Sequence, residues 1–235
     1  MISLEGQNNL FIAIGKRLKR KINVYAIGGT AMIFLGMKDS TIGIDLVFEN
    51  KKDRDDFKEV LKSIGYEDMS ARIVYGKKEN TPEMMTLGDE RFDLFVGNVI
   101  DFIFSEDIRK RAKQAHLFGD NFLLKIADPH DILIMKCATY RYKDINDAKS
   151  IIENTEINWD LILEEIQNQT NFGRERAILD LGYFLEQLKI KFKVLIPKSV
   201  LDKLWKMLEK QVNGKKSKGK KGFLDYINLK LTYIN

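Results

Sequence analysis

The chain has little of what would tie it to a membrane or to an oxidising compartment. No apolar run approaches the roughly 18 residues needed to cross a bilayer, and Glu5 with its polar neighbours stands where a secretory signal needs an unbroken apolar stretch. A soluble, cytoplasmic protein with no membrane partner is therefore expected. The one cysteine, Cys137, has no partner for an internal disulfide. It lies in an apolar-periodic stretch and reads as a buried thiol in a reducing compartment. Histidine is equally scarce: His116 and His130 are isolated, with no Cys or His at ligand spacing, which excludes a zinc site. The two tryptophans, Trp159 and Trp205, fall with Phe184, Leu188, Leu201 and Leu204 at spacings that suit helix–helix packing rather than a base-stacking platform. No internal repeat is present.

What is there is enough apolar material for a substantial core. Of 235 residues, 44% are hydrophobic, which fits one large domain or a domain with a smaller companion. Basic residues outnumber acidic ones by 39 to 34, a net charge of +5 that favours polyanionic partners without requiring them. The excess is uneven. Lys16, Arg17, Lys19, Arg20 and Lys21 close the first expected helix, where cations complement the negative end of the helix dipole. Lys215, Lys216, Lys218, Lys220 and Lys221 alternate with Gly and Ser over 214–222, a run without apolar period. It reads as a loop, either a solvated one or a contact to a phosphate backbone.

Hydrophobic period orders the elements. Residues 5–20 form an amphipathic helix through Leu10, Phe11, Ile14 and Leu18. Val24–Ile27 is a buried strand broken by Gly28 and Gly29, and Thr30 is placed to cap a helix over 31–35. Ile42–Phe48 is a second strand, 53–63 a helix closed by Gly65, and further strands are expected at 71–75, 91–96 and 99–104. A short basic helix over 105–115 ends near His116. From Asp131 the pattern is almost wholly helical, over 131–140, 145–153, 159–169, 174–192 and 200–212. The change of character predicts an α/β (α+β) domain over 1–125 and a helical domain over 126–235.

Two features carry chemistry. A strand that ends in Gly28-Gly29-Thr30 at a helix start lets an anion approach the backbone closely, although tight strand-to-helix turns use glycine in many folds. Asp45 and Asp93 each interrupt an otherwise apolar strand, and a carboxylate there is costly to bury unless it meets a cation or a polar partner. Farther on, Lys136 and Lys143 share a helical face, and Asp144 and Asp147, three apart, share another; a surface helix laced by ion pairs would show the same pattern.

Four motifs in this order resemble the nucleotidyltransferase superfamily that includes DNA polymerase beta. They are Gly28 to Ala31, Thr41 to Val47, Phe92 to Phe95, and Lys136 through Arg141, Lys143, Asp144 and Asp147. The closest likeness is to its small prokaryotic branch related to the abortive-infection nucleotidyltransferases of toxin–antitoxin systems. The resemblance spans roughly residues 22–150. It implies a mixed sheet flanked by helices, two Mg²⁺ ions held by three carboxylates, and transfer of a nucleoside monophosphate from a nucleoside triphosphate to a hydroxyl on RNA, tRNA or protein. It further implies an antitoxin protein as a partner. Carried over, Asp45 and Asp93 are the metal-binding catalytic carboxylates, while Gly28, Gly29, Thr30, Lys136, Arg141, Lys143, Asp144 and Asp147 line the nucleotide.

The first carboxylate of the strand pair is missing, because position 43 is Gly. Glu49 shares Asp45's face but lies about 13 Å along the strand, and Asp39 sits in the preceding loop with nothing to direct it inward. Three readings follow: an enzyme whose transfer is weakened or lost, a non-catalytic module that holds a nucleotide or an RNA end, and a toxin-like protein silenced by an antitoxin or by its own sequence.

Overall fold

The computed structural model describes residues 1–139 and 142–216, with side chains described for 1–137 and 144–212. The order begins β1 (Ile2–Ser3), α1 (Leu4–Gly15), β2 (Ile22–Ala26), α2 (Gly28–Phe34), β3 (Ser40–Thr41), β4 (Gly43–Phe48) and α3 (Lys51–Ser63). It continues with β5 (Glu67–Met69), α4 (Arg72–Tyr75), β6 (Glu83–Leu87), β7 (Glu90–Val96), β8 (Asn98–Val99) and β9 (Phe102–Ile103). Then come α5 (Glu106–Arg111), β10 (Ala115–Phe118) and β11 (Phe122–Ile126). Five helices follow: α6 (Pro129–Thr139), α7 (Tyr142–Asn154), α8 (Trp159–Asn171), α9 (Ala177–Phe192) and α10 (Lys198–Lys216).

The principal sheet is mixed, in the order β10-β11-β2-β4-β7-β6-β5. Its centre is β4, antiparallel to β2 and parallel to β7. Alternation along β4 and β7 sends Ile44, Leu46, Phe48, Phe92 and Leu94 to one face, and all five are fully buried. There α3 supplies Phe57, whose ring meets Phe48, Phe92 and Phe122 at centroid distances of 5.3, 5.8 and 5.4 Å. Asn50 fixes where α3 starts, its side-chain oxygen accepting from the Asp53 amide at 2.9 Å. The opposite face carries Asp45 and Asp93 and is covered by α2, which also packs on α6. Buried hydrophobic residues of the sheet and of the C-terminal helices form one continuous cluster. The architecture is thus a mixed α/β sheet followed by a helical C-terminal region, with β11 ending at Ile126 and α6 beginning at Pro129.

Several local expectations change. Residues 71–75, read as a strand from Ile73 and Val74, contain the short helix α4, and those two side chains are exposed. Thr30 does not cap: α2 already starts at Gly28, and the Thr30 hydroxyl instead accepts from the Asp45 amide at 3.0 Å. His116 lies on β10 rather than at a helix end, and the 99–104 strand is two short pieces, β8 and β9. Trp205 is exposed. The Lys-rich run is helical through Lys216 as the end of α10, and 217–222 lies outside the described residues.

A buried ion cluster fastens the helices to the sheet domain. Arg111, at the end of α5, donates from Nε and Nη2 to the two oxygens of Asp131 at 2.9 and 2.7 Å, and from Nη2 to Glu165 at 2.5 Å. Gln169 donates to Glu165 at 2.9 Å and to the carbonyl of Ile103 at 2.8 Å, and accepts from the Ile103 amide at 2.9 Å. Burial alone would favour a neutral guanidine, but the two carboxylates outweigh it and hold Arg111 more firmly protonated than usual.

Candidate functional site

The parallel register of β4 and β7 sets Gly43 opposite Arg91 and Asp45 opposite Asp93. Side chains two residues apart share a face, so these four positions form a two-by-two block on the face covered by α2. The two carboxylates stand side by side on adjacent strands, whose backbones lie about 5 Å apart, and like charges so placed in a largely buried block call for positive charge nearby.

Arg91 supplies it. Its Nη2 donates to Asp93 Oδ2 at 3.0 Å, and Nε lies 2.9 Å from Oδ1. The second arm is an ion pair without hydrogen-bond geometry; among the described residues neither Arg91 Nε nor Asp93 Oδ1 has a hydrogen-bond partner. Tyr75, from α4, donates its hydroxyl to Asp93 Oδ2 at 2.6 Å. Burial first, then the charges of Asp45 and Asp93, raise the Tyr75 phenol far above its ordinary pKa, so it remains a donor. Asp93 is fully buried, whereas the Arg91 side chain is 19% exposed and so reaches solvent.

Glycine at 43 is what lets the guanidinium lie there. A Cβ built on Gly43 would stand 3.2 Å from Arg91 Nη2 and 3.3 Å from Nε. The turn beside the block is equally close: a Cβ on Gly28, whose φ is +56°, would meet Asp45 Oδ2 at 2.7 Å, and one on Gly29 would meet the Thr41 hydroxyl at 2.6 Å.

The helical motif forms a second cluster. Lys136 of α6 is buried and donates to Asp144 at 3.2 Å and Asp147 at 2.5 Å, while Lys38, in the loop after α2, donates to Asp147 at 2.7 Å. Burial alone would raise the Asp147 carboxyl, but Lys136 and Lys38 prevail and hold it below the usual range. These contacts bind α6 to α7 and α7 to the loop that follows α2. Arg141 and the side chain of Lys143 lie outside the described residues. A cleft of about 760 Å³ opens between Asp101 and Phe102 on one side and α6, α8 and α9 on the other, with Lys78, Arg174, Asp180 and Tyr183 among its walls.

Mg²⁺ is implied by the resemblance, but the residues present do not fit a two-ion centre. Position 43 offers no oxygen, a guanidinium stands over it, and Asp93 is already engaged by Arg91 and Tyr75. Among the described residues no group of three or more His, Cys, Asp or Glu side chains is arranged to hold a metal ion. Sequence reading missed Arg91 and Tyr75. For Arg91 the signal was available, since Arg91-Phe-Asp93 places a cation on the same strand face as the acid.

No family model matches the chain, and no curated protein matches it. Five solved chains match. One of them is the aminoglycoside nucleotidyltransferase ANT(2″)-Ia in complex with adenylyl-2″-tobramycin, with 15% sequence identity over 77% of this chain and 98% of that one, and a TM-score of 0.46. Among the described residues no helix is long and apolar enough to cross a membrane.

Proposed function

We propose that this chain is a nucleotidyltransferase-fold protein that binds a nucleoside triphosphate on the Asp45–Asp93 face and whose Mg²⁺-dependent transfer is lost or greatly weakened. The observation that carries the reading is the two-by-two block: the Gly28–Gly29 turn lies against one carboxylate, its neighbour is in register, and a glycine occupies the position of the first carboxylate. Asp45 and Asp93 are assigned to this face as its polar floor, the glycine turn to the phosphates, and Lys136 with Asp144 and Asp147 to the helical wall. An RNA end is the acceptor class favoured by the basic balance of the chain, and 1–125 with 126–235 is taken as the division into sheet and helical domains.

The experiment is calorimetric titration with each of the four nucleoside triphosphates, paired with incubation of labelled triphosphate, Mg²⁺ and pooled RNA. Binding of at least one nucleotide is expected, with label transfer no greater than that of Asp93→Asn. Transfer by the native chain that Asp93→Asn abolishes would make the protein an active enzyme. Absence of binding by all four nucleotides would remove the nucleotide from the proposal.

A further inference from the structure

We propose that Arg91 is a resident replacement for a metal ion: its guanidinium is the fixed counter-charge of the buried Asp93 carboxylate beside Asp45, and this face takes no divalent cation while Arg91 is present.

Charge and geometry both support it. The charge balance requires a cation, because two carboxylates lie side by side on adjacent strands and one of them is fully buried. The guanidinium meets both oxygens of Asp93 and lies over Gly43, close enough that an added Cβ would make it give by a few tenths of an ångström. The arrangement is reciprocal, since the glycine that removes a metal ligand also makes the room that the arginine fills. A divalent ion near Asp93 Oδ1 would sit within a few ångströms of a fixed positive charge, and that repulsion opposes its binding. The pairing is also incomplete, with Nε and Oδ1 lacking hydrogen-bond partners among the described residues.

The inference does not depend on nucleotide binding. Its test uses the whole chain and Mn²⁺ alone, read by the loss of the free-ion electron paramagnetic resonance signal, with melting temperature in Mg²⁺ or in chelator as the second readout. The native protein should leave millimolar Mn²⁺ free and melt at the same temperature with and without Mg²⁺. Arg91→Met should melt lower, should bind Mn²⁺, and should regain about 2–4 °C in Mg²⁺. Arg91→Lys keeps the charge and should remain indifferent to metal. Mn²⁺ binding by the native chain that Asp93→Asn removes would overturn the proposal. So would a folded Arg91→Met protein that binds no more Mn²⁺ than the native one. If Arg91→Met does not fold, the native titration and Arg91→Lys decide: Mn²⁺ bound by a folded Arg91→Lys protein would also overturn the proposal.

Discussion

Two half-buried arginines face buried carboxylates in this molecule, and they are bonded to very different degrees. Arg111 satisfies both oxygens of Asp131, reaches Glu165, and is backed by Gln169, so its cluster joins α5, α6 and α8 with its polar atoms paired. Arg91, equally exposed, makes one good hydrogen bond and one misaligned ion pair. A fully satisfied buried network fixes a fold, whereas a partly satisfied one is where a ligand or an ion finds unused hydrogen-bonding capacity. The comparison separates a structural fastening from a site, although both are built from the same residue types.

The contrast sets an order of effects. Arg111→Ala should be the most damaging change, because it leaves Asp131 and Glu165 buried without their cation. A loss of about 3–5 kcal/mol is expected in urea denaturation, with no recovery in Mg²⁺. Arg91→Met should cost about 1–3 kcal/mol, part of which Mg²⁺ restores. A larger loss at Arg91 than at Arg111 would invert the comparison.

The Lys136 cluster should behave as a fastening too. Asp147 has a folded pKa below its unfolded one, so its contribution is present above the unfolded value near 4 and is lost as the pH falls through the folded value. Asp147→Asn should therefore lower the melting temperature at pH 7 and flatten its fall between about pH 5 and 2. An unchanged acid limb would show that the cluster adds nothing to folding.

Gly43→Ala should have a smaller effect, of about 1 kcal/mol or less, because the backbone there is ordinary strand and only the guanidinium has to move by a few tenths of an ångström. Gly43→Asp alone should not create a metal site, since the new carboxylate would pair with Arg91. The double change Gly43→Asp with Arg91→Met should bind Mn²⁺ more tightly than Arg91→Met alone.

Much of the frame was legible in the sequence. Strand β2 is an apolar run, β4 and the 91–96 stretch of β7 are apolar runs each interrupted by one acid, and the long C-terminal helices repeat their apolar positions over several turns. Edge strands were not legible: β5 (Glu67–Met69) is polar and mostly exposed, and in β10 only Phe118 is buried, so neither shows the pattern of a half-buried strand. The stretch around Ile73 and Val74 misled because β-branched residues suggest a strand, while four residues between turns can close as a single helical turn. At the site, Asp45 and Asp93 could be found from their apolar surroundings. That Arg91 lies over Gly43 could not, because it depends on β4 and β7 being parallel and in that register, a long-range fact no local pattern encodes. The Arg111 cluster was hidden for the same reason, its partners lying 20 and 54 residues away in sequence.

The decisive observation is a crystal structure of the native chain grown with Mn²⁺ and a nucleoside triphosphate, using anomalous scattering to locate manganese. Arg91 should remain between Gly43 and Asp93, with no manganese peak within about 3 Å of Asp93 Oδ1. A manganese ion bridging Asp45 and Asp93, with the Arg91 side chain swung away, would show that the guanidinium is only a placeholder and that this face takes a divalent ion.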